Sequence, residues 1–250
     1  MIDFHNHILP CVDDGSNSLE MSIKMLKKAS SDGISTIVNT SHFQHPKIKD
    51  RETEFIVKQK RILEDAIKIE NLNISLIQGK EIYYDLNLTT IIEHDFALIA
   101  KKYMLVEFDP FILPATLEER FFILQTLGIT PIIAHPERYL PVQKNISIAK
   151  RWARKDYILQ INAPSILGYF GKECQKTSIE LIENSLCDLI GSDAHNDSSR
   201  NFFLKDAFNY LDKNFKKGSC EALNENAKLL INGQDLKKIQ FDKKNKFWFF

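Results

Sequence analysis

Residues 131–135 read PIIAH, a short apolar run rich in β-branched residues that ends directly on a histidine. Apolar runs of this length and composition predict buried β-strands. In a barrel of alternating strands and helices, the carboxyl ends of all strands converge on one mouth, so polar residues at these ends should meet. Four further runs also end on a histidine or a carboxylate: IVNTSH (37–42), ISLIQGKE (74–81), YMLVE (103–107) and LIGSDAH (189–195).

The segments between these runs have helical patterning, so strands and helices alternate along the chain. A helix is predicted to begin near Asn17, which has the capping-box spacing with Glu20, and another is predicted over residues 51–70. Such alternation predicts parallel strands joined by right-handed crossovers, and hence an α/β barrel. Two more runs bring the predicted strands to seven: MIDFHNH (1–7) and YILQIN (157–162).

The 250 residues fit one barrel-sized domain. We find no internal repeat and no Pro/Gly/Ser-rich linker, so a single domain over residues 1–250 is predicted. An aromatic C-terminal tail, about 241–250, is expected to dock on the barrel or add a short strand. A membrane or partner anchor is the alternative, but its four terminal aromatics are far too few to span a bilayer: Phe247, Trp248, Phe249 and Phe250.

The composition indicates which kinds of partner and which cellular compartment to expect. Lys+Arg and Asp+Glu both total 33, so a net charge of zero gives no electrostatic reason to expect a nucleic-acid partner. We find no signal-peptide pattern and no apolar run near the ~20 residues that a transmembrane helix needs. The cysteines lie far apart without CxxC spacing, which predicts reduced thiols in a cytoplasmic protein: Cys11, Cys174, Cys187 and Cys220.

The cysteines also exclude one kind of phosphatase. A thiol phosphatase needs a cysteine followed six positions later by an arginine in a phosphate-binding loop. The sixth positions after the four cysteines hold no arginine: they are Asn17, Glu180, Asp193 and Asn226.

Five of the seven histidines, together with four carboxylates, follow the predicted strands. His5 and His7 lie two apart on one strand, so both can face the same ion. Mixed imidazole and carboxylate ligation suits Mn²⁺, Fe or Zn²⁺, and adjacent cations suggest hydrolysis. His45 and His94 are expected to be ordinary surface residues, with a place near the rim left open for His45. The candidate metal ligands are His5, His7, Asp14, His42, Glu81, Glu107, His135, Asp193 and His195.

Two arginines are placed to bind phosphate beside such a centre. Arg138 lies three residues past His135, and Arg200 lies five past His195. A guanidinium can donate two hydrogen bonds to a phosphoryl group, and it stays charged at any working pH. A surface salt bridge is the alternative role for each. We therefore treat both arginines as candidate catalytic residues.

Taken in order, these motifs resemble the polymerase and histidinol phosphatase (PHP) superfamily, whose distorted (β/α)₇, TIM-like barrels hold three divalent metals. The match runs from Met1 to about Asn232 and leaves out the aromatic tail. Four motifs resemble more narrowly the bacterial manganese-dependent protein-tyrosine phosphatases encoded with capsule and exopolysaccharide genes: VDDG (12–15), GKE (79–81), HPERY (135–139) and SDAHN (192–196).

The resemblance implies three divalent ions, Mn²⁺ in the first place and Fe or Zn²⁺ otherwise. Asp14 rather than its neighbour Asp13 is the ligand by position, and Arg138 and Arg200 would bind the phosphate oxygens. The implied ligand sets are His5, His7, Glu81 and Asp193; Glu81, Glu107 and His135; and Asp14, His42 and His195.

The resulting hypothesis is hydrolysis of phosphotyrosine on protein, with a metal-bound hydroxide attacking phosphorus in line and without a phosphoenzyme. The resemblance implies that the substrate is the tyrosine-rich tail of a bacterial tyrosine kinase that regulates polysaccharide export. Two alternatives keep the fold and the metals: a small-molecule phosphatase, such as one acting on histidinol phosphate, and a phosphodiesterase. A third is a non-catalytic barrel that binds a kinase or an assembly protein.

Overall fold

The computed structural model describes residues 1–244, and nine strands run through this part of the chain. They are β1 (Ile2–Asn6), β2 (Thr36–Asn39), β3 (His42–Phe43), β4 (Ser75–Gln78), β5 (Glu81–Tyr83), β6 (Tyr103–Glu107), β7 (Thr130–Ala134), β8 (Ile158–Asn162) and β9 (Leu189–Gly191). The helices are α1 (Leu19–Ser31), α2 (Thr53–Ile69), α3 (Leu88–Ile91), α4 (Leu117–Thr126), α5 (Leu140–Lys144), α6 (Ser147–Arg154), α7 (Ala163–Leu167), α8 (Lys172–Glu183), α9 (Leu204–Asn214) and α10 (Ser219–Ile231).

The strands form two parallel sheets that continue one another, in the orders β1-β2-β4 and β3-β5-β6-β7-β8-β9. Two residues separate β2 from β3, and two separate β4 from β5, so the nine strands make seven composite strands in chain order. The last strand returns to the first, since the His7 N–H donates to the Ala194 carbonyl at 2.8 Å. The Asp193 N–H donates to the His5 carbonyl at 2.7 Å. The predicted seven-stranded α/β barrel is therefore confirmed.

The breaks in the second and third composite strands were not predicted. Asn39 turns its side chain to local partners there, because its Oδ1 accepts from the Leu9 N–H and its Nδ2 donates to the Ser41 Oγ. Gly79 crosses the gap by donating its N–H to the Asn39 carbonyl. At both breaks the chain thus passes from the first sheet to the second. As a result, His42 lies in β3 rather than in β2, and Glu81 lies in β5 rather than in β4.

Both predicted helix starts move by a short distance. The N-cap of α1 is Ser18 rather than Asn17, because the Ser18 Oγ accepts from the Met21 N–H at 3.1 Å. Helix α2 begins at Thr53, whereas residue 51 was predicted. A serine hydroxyl at the N-cap satisfies one of the free N–H groups of the first turn. A polar side chain therefore caps the helix as predicted, but one residue later in the chain.

The helices cover the sheet with large apolar side chains. Leu26 of α1, Phe121 of α4 and Trp152 of α6 are fully or almost fully buried in one large cluster with strand residues such as Ile133. A smaller cluster joins the strands to α10 and includes Phe4, Leu105, Ile132, Leu189 and Leu230. Burying these side chains provides most of the favourable free energy of folding and leaves the strand ends available for polar residues.

The start of the aromatic tail lies against the end of α9. Phe241 is buried, and its ring centroid lies 5.9 Å from that of Phe215. The Lys244 N–H donates to the Asn214 carbonyl at 2.9 Å. The prediction for Phe247 to Phe250 falls outside the described residues. No helix within residues 1–244 combines the length and the apolarity needed to cross a membrane.

Gly191 of β9 offers a test of the close packing between the last strand and the first. A Cβ at this position would lie 2.5 Å from the His5 Cβ and 2.9 Å from the Gln160 Nε2. We expect Gly191→Ala to lower the free energy of unfolding by about 2 kcal/mol, because overpacking forces the strands apart. Urea unfolding followed by circular dichroism measures this change.

Gly128→Ala is the matched comparison. Gly128 has a φ of +77°, but a Cβ added there would have nothing within 4 Å, so its substitution tests backbone strain without crowding. We expect a loss of about 1 kcal/mol there. A Gly191→Ala protein as stable as the parent chain would contradict the proposed close contact between β9 and β1.

Candidate metal centre

The structure brings all nine predicted ligands together at the carboxyl ends of the strands. His5 lies in β1, His42 opens β3, Glu81 opens β5, and Glu107 closes β6. The other members follow their strands directly or lie on the loop after β1. Most are buried: His5 and His7 are fully enclosed, and only Asp14 has a half-exposed side chain. The convergence expected from the strand ends is therefore present.

Glu81 lies at the centre of this cluster. Its Oε2 lies 3.1 Å from the His5 Nε2, 3.3 Å from the His7 Nε2 and 3.4 Å from the His42 Nδ1. Its Oε1 lies 3.0 Å from the His135 Nε2. The two oxygens of Glu81 thus contact different imidazoles.

Three groups of side chains within residues 1–244 have ligand atoms that all lie within 4.8 Å of one another. They are His7, Asp14, His42 and His195; His5, His7 and Glu81; and His42, Glu81 and Glu107. Asp193 lies close to two of these groups, with its Oδ1 3.9 Å from the His5 Nε2 and 3.7 Å from the His7 Nε2. The His135 Nε2 lies 3.9 Å from the Glu107 Oε2. Which residues share an ion remains a prediction.

The hydrogen bonds of three histidines prepare them to bind cations. The Nδ1–H of His5 donates to the Gln160 Oε1 at 2.8 Å, and that of His195 donates to the Asp193 carbonyl at 2.9 Å. The Nδ1–H of His7 donates to the Asp13 Oδ2 at 2.7 Å. In a neutral ring, a proton fixed on Nδ1 leaves the Nε2 lone pair free, and Nε2 is the atom that each ring directs into the cluster.

Three buried atoms of the cluster make no hydrogen bond of good geometry in the described part of the chain: the His135 Nδ1, and the His42 Nδ1 and Glu107 Oε1, which lie 2.9 Å apart. Burial without a partner is unfavourable for such atoms, and binding to a cation would satisfy those that face the centre. Imidazole and carboxylate donors also suit Mn²⁺, Fe and Zn²⁺. The residues therefore fit divalent cations.

The electrostatics of the cluster also favour the binding of divalent cations. Burial, together with the charge of Glu81, raises the pKa of Glu107. Burial, together with the nearby His7, lowers the pKa of His195 to about 4. His195 is therefore neutral at physiological pH, which is the form that binds metals. Two carboxylates forced together in a buried site repel each other, and cations between them would relieve that repulsion.

Asp13 holds the loop and one of the histidines in place, whereas the family resemblance implies a role only for its neighbour Asp14. Its Oδ2 also accepts from the His42 N–H at 2.9 Å, and its Oδ1 accepts from the Gly15 N–H at 3.0 Å. Burial opposes the protonated form of His7, but the charge and hydrogen bond of Asp13 raise the pKa of His7 well above its usual value. Gly15 must be glycine because a Cβ there would lie 2.2 Å from the His7 carbonyl oxygen.

The sequence analysis missed other buried polar residues, which form hydrogen bonds with the predicted ligands or with residues next to them. The Asn162 Nδ2 donates to the Asp193 Oδ2 at 2.8 Å. Asp3 accepts hydrogen bonds from the N–H and the Oγ of Ser192, at 2.8 and 2.6 Å. One signal could have revealed them: polar residues recur two positions apart inside apolar strands, at Asp3 and His5 in β1 and at Gln160 and Asn162 in β8.

Two of the predicted ligands have strained backbone conformations. His135 has a φ of +34° and Asp193 a φ of +51°, in the left-handed region that residues with a Cβ rarely occupy. Such strain costs on the order of 1–3 kcal/mol and persists where the surrounding structure fixes the residue. In both cases it turns the chain at the point where a strand delivers its side chain to the cluster.

Both predicted arginines lie at the cluster and contact the same carboxylate. The Arg138 Nη1 donates to the Asp193 Oδ2 at 2.8 Å, and the Arg200 Nη2 donates to the Asp193 Oδ1 at 3.0 Å. The side chains are 35% and 30% exposed, so each guanidinium lies partly open to solvent beside the buried ligands. Each arginine thus forms a salt bridge, but with a buried carboxylate of the cluster rather than with a surface residue.

His45 lies near the rim of the cluster, the place that the sequence analysis left open for it, and not at an ordinary surface position. Its Nε2 lies 4.0 Å from the Glu107 Oε1, and its ring centroid lies 4.8 Å from that of His42. It borders a cavity of about 230 Å³ at the mouth of the centre, with Glu107, His135 and Arg138 also in the wall. His94 is exposed, as expected.

Asp13→Asn tests whether this carboxylate supports metal binding. The variant loses the charge that fixes the His7 ring, and loss of such a partner weakens metal binding by about 10- to 100-fold. Isothermal titration of the metal-depleted protein with Mn²⁺ measures the affinity. Asp65→Asn, on the exposed surface of α2, should bind Mn²⁺ like the parent chain. Equal Mn²⁺ affinities of the parent chain, the Asp13→Asn protein and the Asp65→Asn protein would mean that Asp13 only orders the loop and does not support metal binding.

Comparison with known proteins places this geometry in context. Residues 1–232 match the profile of the family described as capsular polysaccharide synthesis, CpsB/CapC. The chain is 34% identical over 238 residues to the tyrosine-protein phosphatase YwqE of Bacillus subtilis, covering 94% of this chain and 93% of that protein.

Solved structures give the same result. A structure from a study of YwqE from Bacillus subtilis and CpsB from Streptococcus pneumoniae, which are metal-dependent tyrosine phosphatases, superposes with a TM-score of 0.90. The identity is 31%, and the match covers 98% of this chain and 100% of the other. Histidinol phosphate phosphatase from Lactococcus lactis, at 14% identity and a TM-score of 0.55, over 98% of each chain, shares the fold. The barrel described above is therefore that of a member of the CpsB/CapC family, to which this chain belongs.

Proposed function

We propose that this chain is a metal-dependent phosphatase that hydrolyses phosphotyrosine on protein. The observation that carries the proposal is the buried cluster of five histidines and four carboxylates with two arginines on its rim. Membership in the CpsB/CapC family and the likeness to YwqE support the phosphotyrosine substrate. Each part of the site has a task in this reaction.

The nine clustered side chains would hold the cations, and we propose three ions, with Mn²⁺ as the first choice and Fe or Zn²⁺ otherwise. When bound, the cations would supply a nucleophile at neutral pH and neutralise the charge of a phosphate ester. The proposed ligand sets are His5, His7, Glu81 and Asp193; Glu81, Glu107 and His135; and Asp14, His42 and His195. The contacts of Glu81 with His5, His7 and His135 support its place in two of these sets.

Arg138 and Arg200 would bind and orient the phosphoryl group. Both guanidiniums are anchored by Asp193, so their positions are fixed before a substrate arrives. Each guanidinium uses one of its nitrogens for this contact, and its partly exposed remainder would donate to a phosphate oxygen. Donors held in advance stabilise the charge of a transition state without first having to reorganise.

The leaving group in this reaction is a phenolate. The unperturbed pKa of tyrosine is about 10, so the phenolate leaves more readily than the alkoxide of a serine ester. A dedicated general acid is therefore unnecessary. His45 and Tyr83 line the mouth, where the ring of a bound phosphotyrosine would lie, and their own rings pack edge to face with centroids 5.2 Å apart.

The proposed partner is a phosphotyrosine protein, in particular the tail of a bacterial tyrosine kinase that regulates capsule or exopolysaccharide synthesis. The name of the matched family supports the link with capsule synthesis. A cytoplasmic location is part of the same proposal, and the four free cysteines support it.

A panel of phosphate esters tests the proposed activity against the alternatives. Phosphate release would be measured from a phosphotyrosine peptide, a phosphoserine peptide and histidinol phosphate, with Mn²⁺ and with EDTA. We expect selective, Mn²⁺-dependent release from the phosphotyrosine peptide. Preference for histidinol phosphate would replace the proposal by a small-molecule phosphatase, and bound metal without any release would favour a non-catalytic barrel.

Arg138→Ala separates binding of phosphate from binding of metal. Removing one donor of developing charge typically lowers turnover by about 100- to 1,000-fold, and we expect such a loss of kcat/KM on the phosphotyrosine peptide. Metal content, measured by inductively coupled plasma mass spectrometry, should remain that of the parent protein.

Arg151→Ala is the matched control, because Arg151 of α6 forms an exposed ion pair with Glu118 of α4 and its loss should not affect turnover. Normal activity of the Arg138→Ala protein would remove Arg138 from the site. Loss of metal together with activity would mean that Arg138 acts by holding Asp193.

A further inference from the structure

A second cavity lies beside the mouth of the metal centre, on the other side of Arg138. It has a volume of about 410 Å³, and its wall includes Phe111, Leu140 and Phe170. Pro110 and Arg138 line both this cavity and the one at the mouth. A ligand that fills the first cavity can therefore extend into the second by passing Arg138. Nothing in the chemistry of phosphate hydrolysis requires the second cavity.

The outer wall of this cavity is apolar, exposed and held in a fixed shape. Phe111, which lines the cavity, is 69% exposed, and the next residue, Ile112, is 72% exposed, which is unusual for two consecutive large apolar residues. Both of their N–H groups donate to the Asp109 Oδ1, at 2.8 and 3.2 Å. The Leu140 N–H donates to the Pro110 carbonyl at 2.7 Å and ties the loop to the segment that carries Arg138.

The opposite wall is an aromatic turn that contacts both arginines. Phe170 lies between Gly168 and Gly171, whose φ values of +86° and +94° form the turn. The Phe170 ring centroid lies 5.1 Å from the Arg138 Cζ and 5.8 Å from the Arg200 Cζ, within the range of cation–π attraction. A group bound against Phe170 is thus next to the two residues that would bind phosphate.

We propose that the cavity between Phe111 and Phe170 binds an apolar side chain that neighbours the phosphotyrosine in a substrate protein. This inference rests on the proposed phosphatase function and concerns its substrate class. The wall is mostly apolar, and its one charged member, Arg138, is already paired with Asp193. An aliphatic or aromatic side chain fits these surroundings, because burying it removes apolar surface from water on both partners.

The two cavities share Pro110 and Arg138 in their walls, so they lie side by side, which fits a residue close to the phosphotyrosine in sequence. Consecutive Cα atoms of an extended peptide lie ~3.8 Å apart, and side chains alternate in direction along it. With phosphotyrosine in the first cavity, a residue one or two positions away therefore reaches past Arg138. The two sides of the phosphotyrosine are not equivalent, so one position should be selected over the others.

Five phosphotyrosine peptides test the inference. One has only glycine and serine around the phosphotyrosine, and each of the others carries one leucine, two before, one before, one after or two after it. We expect the parent protein to hydrolyse one leucine peptide with a kcat/KM about tenfold above the background peptide, chiefly through a lower KM. Phe111→Ala should reduce that preference to near one, and Phe111→Leu should retain part of it.

Phe122→Ala is the matched control, because Phe122 is a similarly exposed phenylalanine on the outside of α4 and should keep the full preference. Equal kcat/KM for all five peptides, with p-nitrophenyl phosphate still hydrolysed, would overturn the inference and leave the phosphatase function standing. Higher kcat/KM with aspartate in place of the selected leucine would also overturn it. Absence of hydrolysis of every ester would reject the proposed function and the inference together.

Discussion

The contact of Glu81 with four histidines is the interaction around which the rest of the site is arranged. A carboxylate that is 1% exposed cannot remain charged without compensation, and the surrounding imidazoles provide it. Burial would raise the pKa of Glu81, but the neighbouring His5 and the other imidazoles lower it well below the usual value. The same crowding of donors makes the cluster suited to cations, which would replace protons as the neutralising charges.

The barrel makes this cluster possible because one part of it stabilises the fold and a different part carries the polar side chains. Apolar clusters beside the helices stabilise the fold, while the carboxyl ends of the strands carry polar side chains that hold one another in place. Behind the ligands, Gln160, Asp13 and Asn162 each fix one of them by a hydrogen bond. Preorganised ligands bind metal without further ordering of side chains, and the strained backbone at His135 and Asp193 is the cost of that arrangement.

Much of this site could be predicted from sequence, because the ends of parallel strands must converge. That rule needs only the strand pattern, and it brought the nine ligands and both arginines together. It could not separate Asp13 from Asp14, since their different roles depend on how closely Gly15 packs against His7. Nor could it place His45, which returns over the cluster after Gln44 adopts a φ of +59°. Turns of this kind depend on tertiary contacts that a periodic pattern does not contain.

Anomalous diffraction from crystals grown with Mn²⁺ tests the central claim most directly, because it locates each ion independently of activity. The account predicts three anomalous peaks inside the cluster, with the two oxygens of Glu81 bound to different ions. It also predicts that the Nε2 atoms of His5 and His7 face an ion while their Nδ1 atoms keep their hydrogen bonds to Gln160 and Asp13. Absence of any peak within bonding distance of Glu81, in crystals whose medium holds Mn²⁺, would contradict the account.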